Sequence, residues 1–174
     1  NRKALTKLSR VVDDPELILV RAQLSKLLSP KLDKDSREFF SYSARAAVDE
    51  MVRKLRINSG RYQITTTNVN LPVTVINEFD SEITVNILMM PNNSRVLVNS
   101  FENVTIPARS KKQLEMGVTV IAPGETTVSV LITDSDGNGI VPEAILTLNS
   151  TVIDSRVTWF TTGAAILLLL AGVT

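Results

Sequence analysis

The sequence contains neither cysteine nor histidine. Without cysteine the chain has no disulfide and no thiolate metal site. Without histidine it lacks the commonest general base and zinc ligand, and a Ser-His-Asp triad cannot form. Aromatic residues make up only 5% of the chain, so few side chains could stack on nucleic acid bases. These absences exclude several large classes of enzyme.

Other enzyme signatures are also missing from the sequence. No serine has a lysine three residues later, as the Ser-x-x-Lys type of acyl transfer requires. The carboxylate pairs Asp13-Asp14 and Asp49-Glu50 are explained as a helix cap and a solvated helix face. No glycine-rich phosphate loop precedes a helical pattern. We therefore expect a non-enzymatic protein without catalytic residues and without an organic cofactor.

Charge is distributed unevenly along the chain. Residues 1–61 carry 14 Lys/Arg against 8 Asp/Glu, a net +6, whereas residues 62–174 carry 5 against 10, a net −5. Opposite signs favour docking of one part on the other. The basic charges spread around helices without interleaved aromatic residues, so we predict no nucleic acid partner.

The last stretch of the sequence, residues 157–174, reads VTWFTTGAAILLLLAGVT and carries no charge. As a helix, 18 residues rise about 27 Å, close to the roughly 30 Å hydrocarbon thickness of a bilayer. Trp159 lies near its start, and Asp154 and Arg156 precede it, as expected at a headgroup boundary. The pattern predicts a truncated C-terminal transmembrane helix; a buried core helix is the alternative. Residues 1–156 are then extracytoplasmic, and the chain is part of a longer protein.

Residues 1–60 have a helical pattern. Asp14-Pro15 is a helix start signal, and Ser29-Pro30 an end signal. A second helix is predicted from caps at residues 33–36 to a stop at residues 58–60, with one more short helix over residues 1–12. This helical segment is expected to be the end of a larger upstream domain or a brace for the module that follows.

From Arg61 the apolar residues alternate instead, which is typical of strands. Seven or eight short strands with frequent turn signals predict an Ig-like antiparallel β-sandwich over residues 61–153, with a barrel as the alternative. The predicted strands cover residues 62–67, 71–77, 83–90, 95–99, 103–107, 113–122, 126–133 and 144–152. There is no Cys…Trp…Cys framework, so an antibody-type domain is excluded.

Several segments resemble an actinobacterial family of large membrane-anchored envelope proteins of unknown function. They are GRYQITTT (60–67), LPVTVINE (71–78) and SEITVNI (81–87), together with LVRAQLS (19–25) and TDSDGNGI (133–140). The resemblance implies an extracytoplasmic β-sandwich near the membrane and one C-terminal span. Members of the family that this chain resembles are often encoded beside the peptidoglycan lipid II flippase. The family supplies no catalytic residues.

Asp134, Asp136 and Asn138, followed by Gly139, match the opening of an EF-hand-type calcium loop. Position twelve of that loop would be Ile145, where a bidentate carboxylate is needed, and Glu143 is out of register. The alternative is a polar loop between strands.

Three Asn-x-Ser/Thr sequons, at Asn92, Asn103 and Asn149, would be glycan acceptors only in a eukaryotic secretory protein.

These observations predict a single-pass protein of the cytoplasmic membrane that acts as an accessory or scaffold for an integral membrane partner. A lipid II flippase or another cell-wall transporter is the expected partner class. The alternatives are a cell-wall glycan-binding module, which should display an exposed aromatic platform, and an anchor for an enzymatic domain outside this chain.

Overall fold

The computed structural model describes residues 2–26 and 33–151. The predicted transmembrane helix at residues 157–174 lies outside this part. Among the described residues, no helix is both long and apolar enough to cross a bilayer.

Three helices form the N-terminal segment: α1 (Arg2–Leu8), α2 (Pro15–Lys26) and α3 (Lys34–Arg53). An aspartate precedes each of the two longer helices and caps it, as predicted. The Asp14 carboxylate accepts the Glu16 N–H at 2.9 Å, and the Asp33 carboxylate accepts the Ser36 N–H at 2.8 Å. Each aspartate thus satisfies a backbone donor that the first turn leaves without an intrahelical partner.

All eight predicted strands are present, with ends shifted by up to three residues. The helix predicted from residues 33–36 to a stop at residues 58–60 is wrong at its end, because α3 ends at Arg53 and residues 55–57 form a strand. The bounds of the described strands are β1 (Leu55–Ile57), β2 (Gly60–Ile64), β3 (Asn68–Asn77), β4 (Ile83–Pro91), β5 (Val96–Val98), β6 (Phe101–Ile106), β7 (Ser110–Val120), β8 (Gly124–Thr133) and β9 (Ala144–Ser150). Leu55 and Ile57 are buried on one side of β1, and their register pairs them with Asn77 and Val75 of β3.

The strands form two sheets, of order β1-β3-β7-β5 and β2-β9-β8-β4-β6. Two separate sheets make a sandwich and not a barrel. Every pairing between described strands is antiparallel except that of β2 with β9, which run parallel from Gly60↔Leu146 to Ile64↔Ser150.

One hydrophobic core joins the helices to the sandwich. Alternate residues of the strands face inward, for example Val73 and Val75 of β3 and Leu146 and Leu148 of β9. The same contact cluster continues into the helices through Leu5, Leu8, Leu17, Val48 and Met51. The helical segment therefore packs on the sandwich.

The sandwich has two distinct ends. At the end that we call the exit end, β9 finishes, and the connections at residues 65–67, 91–95 and 121–123 lie beside it. At the opposite end, called the helical end, lie the β3–β4 and β8–β9 connections and the contacts with the helices.

Candidate functional site

The predicted calcium loop is a hydrogen-bonded turn at the helical end. The Asp134 carboxylate is nearly buried, with 4% of its side chain exposed. Its Oδ1 accepts the N–H groups of Asp136 at 3.1 Å and Asn138 at 2.8 Å, and the Asn138 amide bonds both of its oxygens at 3.2 Å. Oδ2 also accepts a hydrogen bond from Arg10 Nη1 at 3.1 Å. Asp134 thus fixes the loop and ties it to the residues that follow α1.

These bonds lower the pKa of Asp134 from its usual value of 3.8. The backbone bond from Asn138 contributes most, and the Arg10 and Asn138 side chains add to it against the opposing effect of desolvation. A carboxylate that accepts several N–H bonds holds its negative charge more strongly. Asp134 is consequently ionised at neutral pH and available for Arg10.

The structure brings Asp134 and Asn138 together, whereas the Asp136 side chain is exposed and makes no hydrogen bond within the described residues. No group of three or more Asp, Glu, His or Cys side chains in residues 2–26 and 33–151 could hold a metal ion. A cation at this loop would compete with N–H donors for the Asp134 oxygens. Calcium binding here stays a prediction, and thermal melts with calcium and with chelator test it: equal midpoints would remove it.

A charged cluster joins α2 and the end of α3 to the loop after β3. The second oxygen of Asp14 accepts the Asp80 N–H at 3.1 Å, and Arg109 pairs with Asp80. Lys54 pairs with Glu16, and its ammonium group lies 5.7 Å from the centre of the buried Phe79 ring. Most of these carboxylates and cations are partly exposed, and their pairing fixes the helices against the loop.

A shallow groove of about 400 Å³ crosses the outer face of the four-stranded sheet. Its polar lining comes from residues that face outward at matching positions of three strands. Asn68 lies opposite Thr119, Asn70 lies opposite Gly117, and Asn99 follows β5 on the other side of β7. Amide and hydroxyl groups thus lie on one surface, beside the exposed side chain of Leu97, which also lines the groove.

Gly117 shapes the middle of this groove. Its N–H donates to Asn99 Oδ1 at 2.5 Å, and a Cβ atom at this position would lie 2.9 Å from the same oxygen. The absent side chain lets Asn99 lie across the sheet. In the sequence, the only indication of this groove was the alternation of Asn68 and Asn70 ahead of the apolar residues of β3. The positions of Gly117 and Asn99 beside them depend on long-range strand register, which no local pattern indicates.

The predicted aromatic platform for glycan binding is not on the sandwich part of the described chain. The exposed large aromatic residues of the described chain are Phe39, Phe40 and Tyr42, and all three lie on α3. Of the sequon asparagines, Asn92 lies in the β4–β5 connection, Asn103 in β6 and Asn149 in β9. Asn92 Oδ1 accepts the Thr127 N–H at 3.0 Å, so its side chain is already bonded to β8.

The exit end has a different composition. Ile121 and Leu97 are 61% and 58% exposed. The charged residues of its described connections and adjoining strand ends are Arg95 and Glu125. Ser150, the last residue of β9, anchors this end, because its hydroxyl donates to the carbonyl oxygens of Ala122 at 3.2 Å and Gly124 at 3.1 Å.

A family model matches residues 2–174 of this chain, and its description reads "Family of unknown function (DUF6049)". The chain belongs to this family. No curated protein matches it.

Among solved structures, the chain is similar to a C. elegans MSP family member, at 16% identity and TM-score 0.38, over 56% of this chain and 98% of that one. It is also similar to the CARDB domain of a Pyrococcus furiosus protein, at 12% identity and TM-score 0.44, over 57% and 96%. A secreted serine protease of Vibrio cholerae matches at 16% identity and TM-score 0.43, over 59% of this chain but 24% of that one. None of these likenesses bears on what this chain does.

Proposed function

We propose that this chain is a non-enzymatic, single-pass envelope protein that acts as an accessory or scaffold for an integral membrane partner. The proposal places residues 1–156 outside the cytoplasmic membrane and residues 157–174 within it. The partner class that fits best is a cell-wall transporter, such as a lipid II flippase, in an actinobacterial envelope. The observation that carries the proposal is the uncharged apolar run at residues 157–174 that follows directly after a sandwich.

The spacing between sandwich and run supports a positional role. Strand β9 ends at Ser150, and residues 152–156 are all that separates Thr151 from the run. A chain of this length spans at most about 20 Å even when fully extended. A sandwich tethered so closely stands over the outer face of whatever protein the last segment binds.

Membrane extraction tests the anchor. We expect the full chain to remain with membranes after alkaline carbonate treatment. The double variant Leu167→Arg/Leu168→Arg should be released, because arginine at the centre of a span is costly. The control Ile18→Arg/Leu19→Arg adds the same charges at two positions of α2 that are 66% and 65% exposed, and it should stay in the pellet. Release of the unaltered chain would contradict the anchor.

Co-purification in mild detergent tests the partner. We expect the full chain to carry an integral membrane protein, and to lose it when residues 157–174 are exchanged for an unrelated apolar segment. A lone monomer in both preparations would count against a scaffold role while leaving the anchor standing.

The second candidate function is glycan binding in the groove on the four-stranded sheet. The groove's amide and hydroxyl lining favours it, because such groups hydrogen-bond sugar hydroxyls. The variant Asn70→Ala/Asn99→Ala should then lose binding to purified cell wall, whereas Asn58→Ala, an exposed site outside the groove, should retain it. Equal retention by both variants would exclude this groove as the binding site.

A further inference from the structure

Charge is concentrated away from the exit end of the sandwich. The helical end and its contacts carry Asp14, Glu16, Lys54, Arg56, Glu78, Asp80, Arg109, Lys111, Asp134 and Asp136. The exit end has one cation and one anion among its described residues, Arg95 and Glu125. The sandwich is therefore polarised along its length, with its least charged surface where β9 leaves.

The two most exposed apolar side chains of the described sandwich, Ile121 and Leu97, both belong to this end. Leu97 of β5 is opposite Thr119 of β7, and Ile121 follows two residues after Thr119, so both face outward from the same sheet. An exposed aliphatic pair in water gives up hydrophobic free energy that contact with an apolar phase would recover.

The connection that carries Ile121 is held firmly. The Ile121 and Ala122 N–H groups donate to the Arg95 carbonyl oxygen at 2.7 and 3.1 Å, and Arg95 Nη1 donates to the Pro123 carbonyl oxygen at 2.8 Å. Gly124 then turns the chain into β8 with φ of 127°, a conformation that side chains rarely adopt. Ile121 is thus presented on a fixed turn, and little ordering is needed when it makes a contact.

From this arrangement we propose that the exit end rests on the headgroup layer of the bilayer, with Ile121 and Leu97 as its lipid contacts. This inference rests on the proposed anchor at residues 157–174. The tether of at most about 20 Å keeps the exit end within reach of the membrane surface. Since Arg95 and Glu125 carry opposite charges and the other side chains of the described connections are uncharged, the contact does not require anionic lipid. The helical segment consequently points away from the membrane.

Site-directed fluorescence on the full chain in lipid vesicles tests this orientation, and the absence of cysteine makes each label unique. The test site is Ile121→Cys. The matched control is Glu143→Cys, an exposed position at the helical end. Leu168→Cys reports on the anchor. The vesicles are pure phosphatidylcholine, with a nitroxide quencher near the headgroup on the lipid or iodide in the water, and a thermal melt checks each variant's fold.

We expect lipid-borne quenching at position 121 to be several-fold greater than at position 143, with the order reversed for iodide. Position 168, near the centre of the span, should be shielded from iodide. If position 168 behaves so but position 121 matches position 143, the surface contact is wrong and the anchor stands. If position 168 is open to iodide, both proposals fail. Shielding of position 121 from iodide without lipid quenching would mean contact with another protein copy and would also overturn the proposal.

Discussion

Among the described residues of the helical end, Asn77 is the one whose side chain makes the most hydrogen bonds to backbone groups. It is fully buried at the end of β3. Its amide nitrogen donates to the carbonyl oxygens of Ser81 at 2.9 Å, Ile106 at 3.3 Å and Pro107 at 3.0 Å, and its oxygen accepts the Phe79 N–H at 3.0 Å. One side chain therefore connects the end of β3 to both of the connections beside it.

Replacing Asn77 with alanine should lower the free energy of unfolding by about 2–4 kcal/mol, because several buried polar groups lose their partners together. Chemical denaturation measures it. The control Asn58→Ala removes an exposed amide without a side-chain hydrogen bond in the described structure, and it should change stability by less than about 0.5 kcal/mol. A similar small change for both variants would mean that water replaces the Asn77 bonds.

Asp134 makes the stability of the protein depend on acid. Its pKa is lowered in the folded chain below the usual 3.8, so the unfolded chain takes up the proton at higher pH than the folded chain does. The stabilisation is complete above about pH 5 and is lost as the pH falls through the folded pKa. Glu78 and Asp80 shift in the same direction, chiefly through hydrogen bonds from Arg56 and Arg109.

Melts between pH 3 and pH 7 should therefore show a midpoint that falls below about pH 4. The variant Asp134→Asn should melt several degrees lower at pH 7 and show a shallower acid dependence. In contrast, Asp136→Asn, which alters an exposed side chain of the same loop, should follow the unaltered protein. An unchanged acid slope in Asp134→Asn would assign the dependence to other carboxylates.

At the scale of elements, alternation of apolar residues located the strands but not their partners. Three residues at 55–57 are too few to show alternation, and Arg53, Lys54 and Arg56 favoured a helix C-terminus. Burial of Leu55 and Ile57 against β3 prevails over that local pattern. The parallel pairing of β2 with β9 joins residues some 86 positions apart, and no local pattern encodes it. The site depends on such pairings, so the Asn-lined groove could not be predicted whole.

Strand β1 is only three residues long, but we expect it to contribute substantially to the stability of the fold. Leu55→Ala should lower the free energy of unfolding by about 2–5 kcal/mol, because it empties a fully buried site. Arg56→Gln, on the more exposed side of the same strand, should cost less than about 1 kcal/mol, the typical limit for a surface ion pair. If residues 55–57 were the frayed end of a helix, both costs would be small.

At the scale of the whole molecule, helices and sandwich form a single unit. The opposite charges of the two parts predicted docking, but the contacts are mainly apolar, with Arg10–Asp134 and Arg56–Glu78 as the ion pairs from residues 1–61 to the remainder in the described structure. The charge distribution thus predicted that the two parts associate. It did not predict that apolar contacts would hold them together, because that depends on which apolar faces meet in the fold.

A shared core predicts a single unfolding transition. Leu8→Ala, at a fully buried position of α1, should lower stability by about 2–5 kcal/mol. It should move the helix signal in circular dichroism and the sheet signal in infrared absorption to the same new midpoint. The exposed substitution Leu19→Ala should shift neither appreciably. Separate midpoints would show that the helical segment unfolds alone.

The parallel alignment of β2 with β9 also determines how the molecule carries mechanical load. Tension between the start of β2 and the end of β9 pulls these two strands past each other, so the five paired positions from Gly60↔Leu146 to Ile64↔Ser150 are strained in shear together and not unzipped one by one. Forced unfolding is governed by the height of the unfolding barrier, and shear raises that barrier. We therefore expect a pull along β9 to meet a higher unfolding barrier than a pull across the sheet.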